Sequence, residues 1–203
     1  MRIGIYGGTF NPVHNGHVHV MRCFAERLRL DKLLLIPTAT PPHKQAQDLA
    51  PAEDRIAMCR LAARGLPGAE VSDLEIRRGG RSYTAETLRC LREVYPKAEL
   101  FLLMGEDMFL TVESWYQPES IFALATIATA PRSHSLEKIR VQQRRLEEKF
   151  GGSILVEEIP YQEVSSTMIR ERAESGQEIG SLVPPGVAAY IRRHSLYRRE
   201  QGE

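Results

Sequence analysis

Short apolar runs rich in Leu, Ile and Val alternate along the chain with stretches in which apolar residues recur at helical spacing. The runs predict buried strands at 3–6, 33–36, 100–104, 126–130 and 154–156, with a weaker one at 69–74. Helical spacing is shown by Val18, Met21, Ala25 and Leu28, by Ala85, Leu88 and Leu91, and by Leu136, Ile139, Leu146 and Phe150. This alternation predicts right-handed βαβ crossovers and therefore an α/β fold with a parallel sheet.

The length and composition favour one ordinary globular domain. The chain has 203 residues, of which 42% are hydrophobic, and it contains no repeat or low-complexity stretch. The most irregular parts are 37–51 and 181–186, and neither resembles a linker between domains. We therefore expect a single domain over 1–203, with a helical C-terminal part that begins near Ser165.

Charge and cysteine content exclude several classes. Lys and Arg number 27 against 26 Asp and Glu, a balance that does not suit a surface built to neutralise a nucleic-acid backbone. The three cysteines show no CxxC spacing, so neither a disulfide framework nor a zinc site is indicated, and a reducing cytoplasm fits best. No apolar run is long enough for a membrane anchor.

The first predicted strand ends in a loop that reads GGTFNPVHNGH from Gly7 to His17, and a helical pattern follows at once. Ligands of open α/β sheets bind at the carboxyl ends of strands, where a helix N-terminus offers free N–H groups to an anion. His14 and His17 share a face of a first helical turn, so both imidazoles can reach such an anion. The loop therefore predicts a phosphate site. The alternatives are a plain tight turn and a metal-binding pair, for which no third ligand is evident.

A second candidate anion site lies near the C-terminus. The segment VSSTMIR at 164–170 indicates a helix start capped by hydroxyl residues, with Arg170 on the same face as Ser166. An ordinary helix cap beside a solvated Arg explains the same pattern when it is considered alone.

GGTFNPVHNGH at 7–17 together with SSTMIR at 165–170 resembles the nucleotidyltransferase superfamily marked by His-x-Gly-His. Three more segments, IPTATPPHK at 36–44, SYTAETL at 82–88 and MGED at 104–107 with Trp115-Tyr116 after it, resemble the bacterial nicotinate mononucleotide adenylyltransferases within it. The resemblance spans nearly the whole chain. It implies a Rossmann-like, doubly wound sheet and transfer of the adenylyl group of ATP to nicotinate mononucleotide, giving nicotinate adenine dinucleotide and pyrophosphate in NAD biosynthesis.

The resemblance also implies roles for individual residues. His14, His17 and Arg170 would be catalytic. The ATP site would comprise Gly7, Gly8, Thr9, Phe10, His14, His17, Gly105, Ser166, Thr167 and Arg170. The mononucleotide site would comprise His43, Lys44, Tyr83, Thr84, Asp107, Trp115 and Tyr116. Mg²⁺ would arrive with ATP and bind mainly phosphate oxygens, so no dedicated protein ligands are expected.

Other functions remain open at this point. An enzyme that prefers nicotinamide mononucleotide differs only in recognition of one carboxyl group, and a non-catalytic nucleotide sensor would share the fold. The pairs Arg192-Arg193 and Arg198-Arg199 suggest RNA binding, yet a basic helical tail is usually a solvated face. We expect ATP and the mononucleotide as partners, neither nucleic acid nor membrane, and a homo-oligomer as one option.

Overall fold

The structure, a computed structural model, describes residues 1–40, 49–131 and 136–198. Its sheet has six strands that all run parallel, in the order β3-β2-β1-β4-β5-β6. The strands are β1 (Arg2–Gly8), β2 (Lys32–Pro37), β3 (Ala69–Val71), β4 (Glu99–Gly105), β5 (Thr126–Ala130) and β6 (Ile154–Val156). The predicted α/β fold with a doubly wound parallel sheet is confirmed.

The weaker predicted strand is too long by three residues. β3 ends at Val71, and Leu74 begins a short helix instead of ending the strand. The Ser72 hydroxyl accepts a hydrogen bond from the Leu74 N–H at 3.3 Å. This local bond favours a turn over further strand pairing.

Helices cover both faces of the sheet. They are α1 (Asn15–Arg27), α2 (Ala52–Ala63), α3 (Leu74–Arg78), α4 (Thr84–Val94), α5 (Glu106–Phe109), α6 (Pro118–Leu124), α7 (Leu136–Phe150), α8 (Ser166–Glu174) and α9 (Pro185–Arg193). The three helical patterns in the sequence correspond to α1, α4 and α7, and the expected helical C-terminal part to α8 and α9. Among the described residues, none of these helices is long and apolar enough to cross a membrane.

The core has two layers because side chains alternate across the strands. Leu33 and Leu35 of β2 face the layer formed with α1, α2, α8 and α9, which contains Phe24 of α1. Leu34 and Ile36 face the layer formed with α4, α6 and α7. Apolar side chains on both faces explain why the strands appear in the sequence as continuous apolar runs.

The strand order creates one switch point, between β1 and β4. From β1 the chain continues to β2 and β3 on one side, and it returns to β4, which pairs with the other edge of β1. The crevice at the carboxyl ends of these two strands is the ligand site of doubly wound sheets. Gly8 ends β1 there and Gly105 ends β4.

Candidate active site

A cavity of about 350 Å³ opens at this switch point. It brings together residues from distant parts of the chain, as the sequence predicts. The predicted site residues that line it are Gly7, Gly8, Thr9, Phe10, His17, Tyr83, Thr84, Gly105, Trp115, Tyr116 and Ser166. The ATP side and the mononucleotide side of the predicted site therefore share one continuous space.

Four predicted site residues do not line the cavity wall. His14 is buried behind His17, and Arg170 is bonded to the loop that follows β1. Thr167 is exposed on α8, and Asp107 is exposed in the first turn of α5. His43 and Lys44 lie outside the described residues.

His14 and His17 form a reciprocal cap at the start of α1. His14 is the N-cap residue, and its Nδ1 accepts a hydrogen bond from the His17 N–H at 3.3 Å. The Nδ1 of His17 in turn accepts from the His14 N–H at 3.2 Å. The two rings stack with their centroids 3.6 Å apart. Each imidazole thus satisfies one backbone donor that a helix start would otherwise leave unpaired.

This cap determines where the ring protons lie. A nitrogen that accepts a hydrogen bond carries no proton, so the neutral ring of each histidine is protonated at Nε2. Burial lowers the pKa of His14 to about 4. Burial, and then the charge of His14, lower the pKa of His17 well below its usual range. At neutral pH the free protein therefore holds two neutral rings, each with an Nε2–H donor.

Glycines make this packing feasible at two positions. A Cβ on Gly16 would lie 3.1 Å from the His14 Nδ1, closer than side chains normally approach. A Cβ on Gly8 would lie 3.0 Å from the Phe10 ring. That ring meets the His17 ring edge-on, with centroids 5.3 Å apart. Phe10 and His14 therefore hold the imidazole of His17 from two sides.

The start of α8 is attached directly to the loop after β1. Ser165 caps the helix by accepting a hydrogen bond from the Met168 N–H, as the sequence predicts. Ser166 Oγ donates to the Pro12 carbonyl at 2.9 Å, and Arg170 Nη1 donates to the Asn11 carbonyl at 2.9 Å. Arg170 Nη2 also lies 3.3 Å from Thr167 Oγ1. The segment of the second predicted anion site is thus hydrogen-bonded to the loop of the first.

Aromatic rings form the other end of the cavity. The rings of Tyr83 and Tyr116 lie 4.4 Å apart at an interplanar angle of 33°. The indole N–H of Trp115 donates to Thr111 Oγ1 at 3.3 Å, and Trp115 lines the same cavity as the two tyrosines. α4 begins at Thr84, and Ser82 Oγ, two residues earlier, accepts a hydrogen bond from the Ala39 N–H.

Glu75 is a cavity residue that the sequence reasoning misses. Its side chain is buried, and Oε1 accepts a hydrogen bond from Thr87 Oγ1 at 2.7 Å. Burial raises the pKa of the Glu75 carboxyl, and the neighbouring Thr87, Ser82 and Arg78 oppose that shift. A carboxyl group under the first turn of α4 carries no signal in a single sequence, since Glu is common on exposed helices.

Arg55 is a second residue that the sequence reasoning misses, and here a signal exists. Its guanidinium is 1% exposed and binds backbone carbonyls beside the cavity. In α2 it precedes Met58, Cys59 and Ala62 at the spacing of an apolar helix face. A charged residue within an apolar stripe indicates a buried, fully hydrogen-bonded role.

A doubly wound parallel sheet with a glycine-rich loop and a histidine-capped helix at its switch point defines an α/β nucleotidyltransferase. The family model described as Cytidylyltransferase-like matches residues 5–172. Proteins of Dehalococcoides mccartyi strain BAV1 and Neisseria meningitidis serogroup B, both named "Probable nicotinate-nucleotide adenylyltransferase", are 37% and 38% identical to this chain, with 98% of this chain and 98% and 99% of theirs covered. The chain belongs to the cytidylyltransferase-like family and, within it, to the nicotinate-nucleotide adenylyltransferases.

Solved structures share the fold at lower sequence identity. The Plasmodium falciparum nicotinic acid mononucleotide adenylyltransferase complexed with NaAD gives a TM-score of 0.78 at 18% identity, with 97% of both chains covered. The same protein complexed with APC gives a TM-score of 0.76 at 18% identity, with 97% of this chain and 96% of that chain covered. The likeness confirms the Rossmann-like architecture that the resemblance implies.

Proposed function

We propose that the protein transfers the adenylyl group of ATP to nicotinate mononucleotide, producing nicotinate adenine dinucleotide and pyrophosphate in NAD biosynthesis. The observation that carries this proposal is the reciprocal cap of His14 and His17, which presents neutral Nε2–H donors at the switch point. Full-length relatives that carry the name of this activity support it.

The reaction needs positioning more than acid-base catalysis. An oxygen of the mononucleotide 5′-phosphate attacks the α-phosphorus of ATP, the bond from that phosphorus to the β-phosphate bridging oxygen breaks, and pyrophosphate leaves with the electron pair. A phosphate monoester has a second pKa of about 6, so the nucleophile is already a dianion near neutrality. The protein then has to align the two reactants and stabilise the developing negative charge.

His14 and His17 supply that stabilisation in our proposal. Their Nε2–H groups donate to oxygens of the α- and β-phosphates, and these bonds strengthen as charge accumulates in the transition state. A neutral donor in a buried site requires little reorganisation, because its partners are fixed before ATP binds. The backbone N–H groups of Gly8, Thr9 and Phe10 complete the phosphate cradle, and Gly7 and Gly105 leave room for the nucleotide at the strand ends.

The start of α8 contributes the opposite wall of the ATP site. We infer that Ser166, Thr167 and Arg170 bind the β- and γ-phosphates. Ser166 already lines the cavity, and Arg170 is held against the Asn11 carbonyl by one nitrogen of its planar fork. Its remaining donors are available for the leaving pyrophosphate once Thr167 turns aside.

The aromatic end of the cavity suits the acceptor. Nicotinate mononucleotide carries a flat, cationic pyridinium ring, and such a ring packs favourably against the Trp115 indole face. Its carboxylate would accept hydrogen bonds from backbone N–H groups at the start of α4, near Thr84, and beside Tyr116. Tyr83 closes the subsite by its contact with Tyr116.

Three further residues belong to the proposed acceptor site on the basis of the family resemblance. Asp107 would accept a hydrogen bond from a ribose hydroxyl or from the ring region. Lys44, with His43 beside it, would bind the mononucleotide 5′-phosphate, since an ammonium group is a suitable partner for a phosphate.

We infer that Mg²⁺ enters with ATP. Within the described residues no group of three or more His, Cys, Asp or Glu side chains is arranged to hold a metal ion. Mg²⁺ retains several waters and binds phosphate oxygens rather than an all-protein cage, so the phosphates of ATP would supply its main ligands. When bound, it would neutralise charge on the leaving pyrophosphate.

The same proposal covers the whole chain. We infer one nucleotidyltransferase domain over 1–203, whose helical end from about residue 165 completes the ATP site. ATP and nicotinate mononucleotide are its partners in the cytoplasm, and no nucleic acid or membrane is required.

The test is pyrophosphate release with ATP and Mg²⁺, comparing nicotinate mononucleotide, nicotinamide mononucleotide and 4′-phosphopantetheine by kcat/KM. A strong preference for the acid is the expected result. A preference for the amide would retain the histidine chemistry and overturn the acceptor. Release with none of the three, while ATP still binds, would identify a nucleotide sensor.

A further inference from the structure

Arg55 of α2 makes a contact pattern that the proposed reaction does not yet explain. Its guanidinium is 1% exposed and has no carboxylate partner among the described residues. All of its hydrogen bonds go to backbone carbonyls. Burying a charged guanidinium costs folding free energy unless its N–H groups are hydrogen-bonded.

The four carbonyls come from three separate segments. Arg55 Nη1 donates to the carbonyls of Thr9 at 2.9 Å and of Thr38 at 2.7 Å. Nη2 donates to the Ala39 carbonyl at 3.4 Å, and Nε to the Ala50 carbonyl at 3.1 Å. One side chain therefore joins the loop after β1, the end of β2 and the start of α2.

We propose that Arg55 is a positioning residue for adenylyl transfer, which fixes the orientation of two neighbouring peptide groups at the edge of the cavity. The proposal rests on the proposed function, because it assigns one peptide to the ATP side and the other to the acceptor side.

The Thr9–Phe10 peptide is the ATP-side group. In a planar trans peptide the C=O and the following N–H point in opposite directions. Because Arg55 holds the Thr9 carbonyl, the Phe10 N–H is directed away from the guanidinium. Both residues line the cavity, and in the described part of the chain the Phe10 N–H has no backbone acceptor. Arg55 thus directs an amide donor toward the phosphates.

The Thr38–Ala39 peptide is the acceptor-side group. Arg55 holds its carbonyl in the same way, and here the N–H on the other side of the peptide has a hydrogen-bond acceptor in the structure. Arg55 holds the Thr38 carbonyl, and the Ala39 N–H on the other side of that peptide donates to Ser82 Oγ at 2.9 Å. Ser82 lines the cavity immediately before Tyr83 and Thr84. The orientation of this peptide therefore sets the position of the start of α4.

Rotation of either peptide would displace the groups proposed to align ATP with nicotinate mononucleotide. Misplacement by about 1 Å can reduce a reaction rate about 100-fold when alignment is the main source of catalysis. Arg55 touches neither reactant in this proposal, so its loss should act through both binding sites together.

The experiment compares Arg55→Met and Arg55→Lys with Arg92→Met as a matched control. Arg92 also holds backbone carbonyls, those of Ala98 at 2.7 Å and Leu124 at 2.9 Å, but these lie just before β4 and β5 begin, at the edge of the sheet opposite the strand ends that border the cavity. Steady-state kinetics for both substrates and the dissociation constant of ATP are measured well below the Tm of every variant.

For Arg55→Met we expect kcat/KM to fall about 100-fold, with higher KM for both substrates and weaker ATP binding. Lys keeps a cation and three donors, so Arg55→Lys should recover part of the loss. Arg92→Met should keep kcat/KM within about twofold of the wild type despite a lower Tm, because its contacts do not reach the cavity.

Wild-type kinetics and ATP affinity in Arg55→Met would overturn the proposal, as would a loss of activity no larger than that of Arg92→Met. If Arg55→Met does not fold, Arg55→Lys decides by the same criteria. If the wild-type protein releases no pyrophosphate, the proposed function fails, and the ATP dissociation constant still decides whether Arg55 orients the phosphate loop.

Discussion

His14 and His17 each accept a hydrogen bond from the backbone N–H of the other, and their rings stack 3.6 Å apart. Because the Nδ1 atoms accept these hydrogen bonds, the proton of each neutral ring lies on Nε2, on the opposite edge of the ring. In the proposed function, helix capping and phosphate binding are thus assigned to opposite edges of one pair of rings. This relationship allows the two roles to be separated by substitution.

His14→Asn should separate the cap from the phosphate donor. Asn is a strong N-cap residue, so its side-chain oxygen can still accept from the His17 N–H, but no donor replaces Nε2–H. We expect kcat to fall about 100- to 1,000-fold while the Tm stays close to that of the wild type. Steady-state kinetics and thermal melts check this result.

His14→Ala removes both functions and serves as the comparison. It should show the same kinetic loss together with about 1 kcal/mol of lost stability from the missing cap. His19→Asn is the matched control, because His19 lies on the same helix and contacts the Pro160 carbonyl outside the cavity. Equal kcat for His14→Asn and the wild type would contradict the assignment of the donor.

Gly16→Ala tests the close approach inside the histidine pair. The added methyl group would lie 3.1 Å from the His14 Nδ1, so the stacked ring has to shift. We expect kcat to fall about tenfold or more with little change in the Tm, since a small displacement of a donor is costly for catalysis.

Gly65→Ala is the control for that substitution. A Cβ there would meet its nearest neighbour, the Ala62 carbonyl oxygen, at 3.9 Å, which is ordinary contact. Gly65→Ala should therefore leave kcat unchanged. A similar kcat for the two variants would show that the ring has room to move without loss.

The sequence allowed the sheet to be predicted because its strands are buried on both faces. Such strands appear as continuous apolar runs, and 126–130 and 154–156 coincide with β5 and β6. The error at β3 has a local cause, since the Ser72 hydroxyl turns the chain into α3. The short helices α5 and α6 are fixed by tertiary contacts and carry too few residues for a periodic signal.

The candidate site was predicted where one motif places several polar groups together. The loop from Gly7 to His17 is such a motif, and the structure brings Gly7, Gly8, Thr9, Phe10 and His17 to the cavity. Glu75 escaped prediction because its hydrogen-bond partner is the distant Thr87 side chain, which no local pattern reveals. Arg55 could have been found from its position in the apolar stripe of α2.

The burial of His14 makes stability depend on pH in a definite direction. Its pKa is lowered from 6.5 to about 4 in the folded protein, so the unfolded chain binds the proton more strongly. The folded state therefore has its full stability above pH 6.5 and loses it as the pH falls toward 4, by at most about 3 kcal/mol from this group.

Chemical denaturation at pH 7.5 and at pH 4.5 checks this prediction. The decrease in unfolding free energy between the two values should be larger in the wild type than in His14→Asn, which has no group to protonate at that position. An equal decrease in both proteins would show that the His14 ring titrates normally in the folded state.

Glu75→Ala should affect the acceptor side of the cavity selectively. The Glu75 carboxyl is bonded to Thr87 in the first turns of α4 and lies near Ser82, which precedes the proposed nicotinate subsite. We expect the KM for nicotinate mononucleotide to rise about tenfold and the KM for ATP to change little. Glu86→Ala on α4, beside Thr87, is the control, because its carboxylate is partly exposed and lies 3.7 Å from Arg78 Nε. An equal rise in both KM values would show that Glu75 supports the whole cavity.

The pH dependence of the reaction should follow the substrate phosphate and not the histidines. In the protein without ATP, the pKa values of His14, about 4, and of His17, well below its usual range, leave both rings neutral near neutral pH. The mononucleotide phosphate loses its second proton at a pKa of about 6, and only the dianion is the competent nucleophile. At saturating ATP, kcat/KM for nicotinate mononucleotide should therefore be constant above pH 7 and fall about tenfold per unit below 6.

His14→Asn should lower the plateau of this profile and leave its midpoint in place. The midpoint should equal the second pKa of free nicotinate mononucleotide, measured separately by phosphorus NMR. A midpoint that moves in His14→Asn would mean that the protonation of this ring limits the rate, and that His14 acts as an acid or base rather than as a fixed neutral donor.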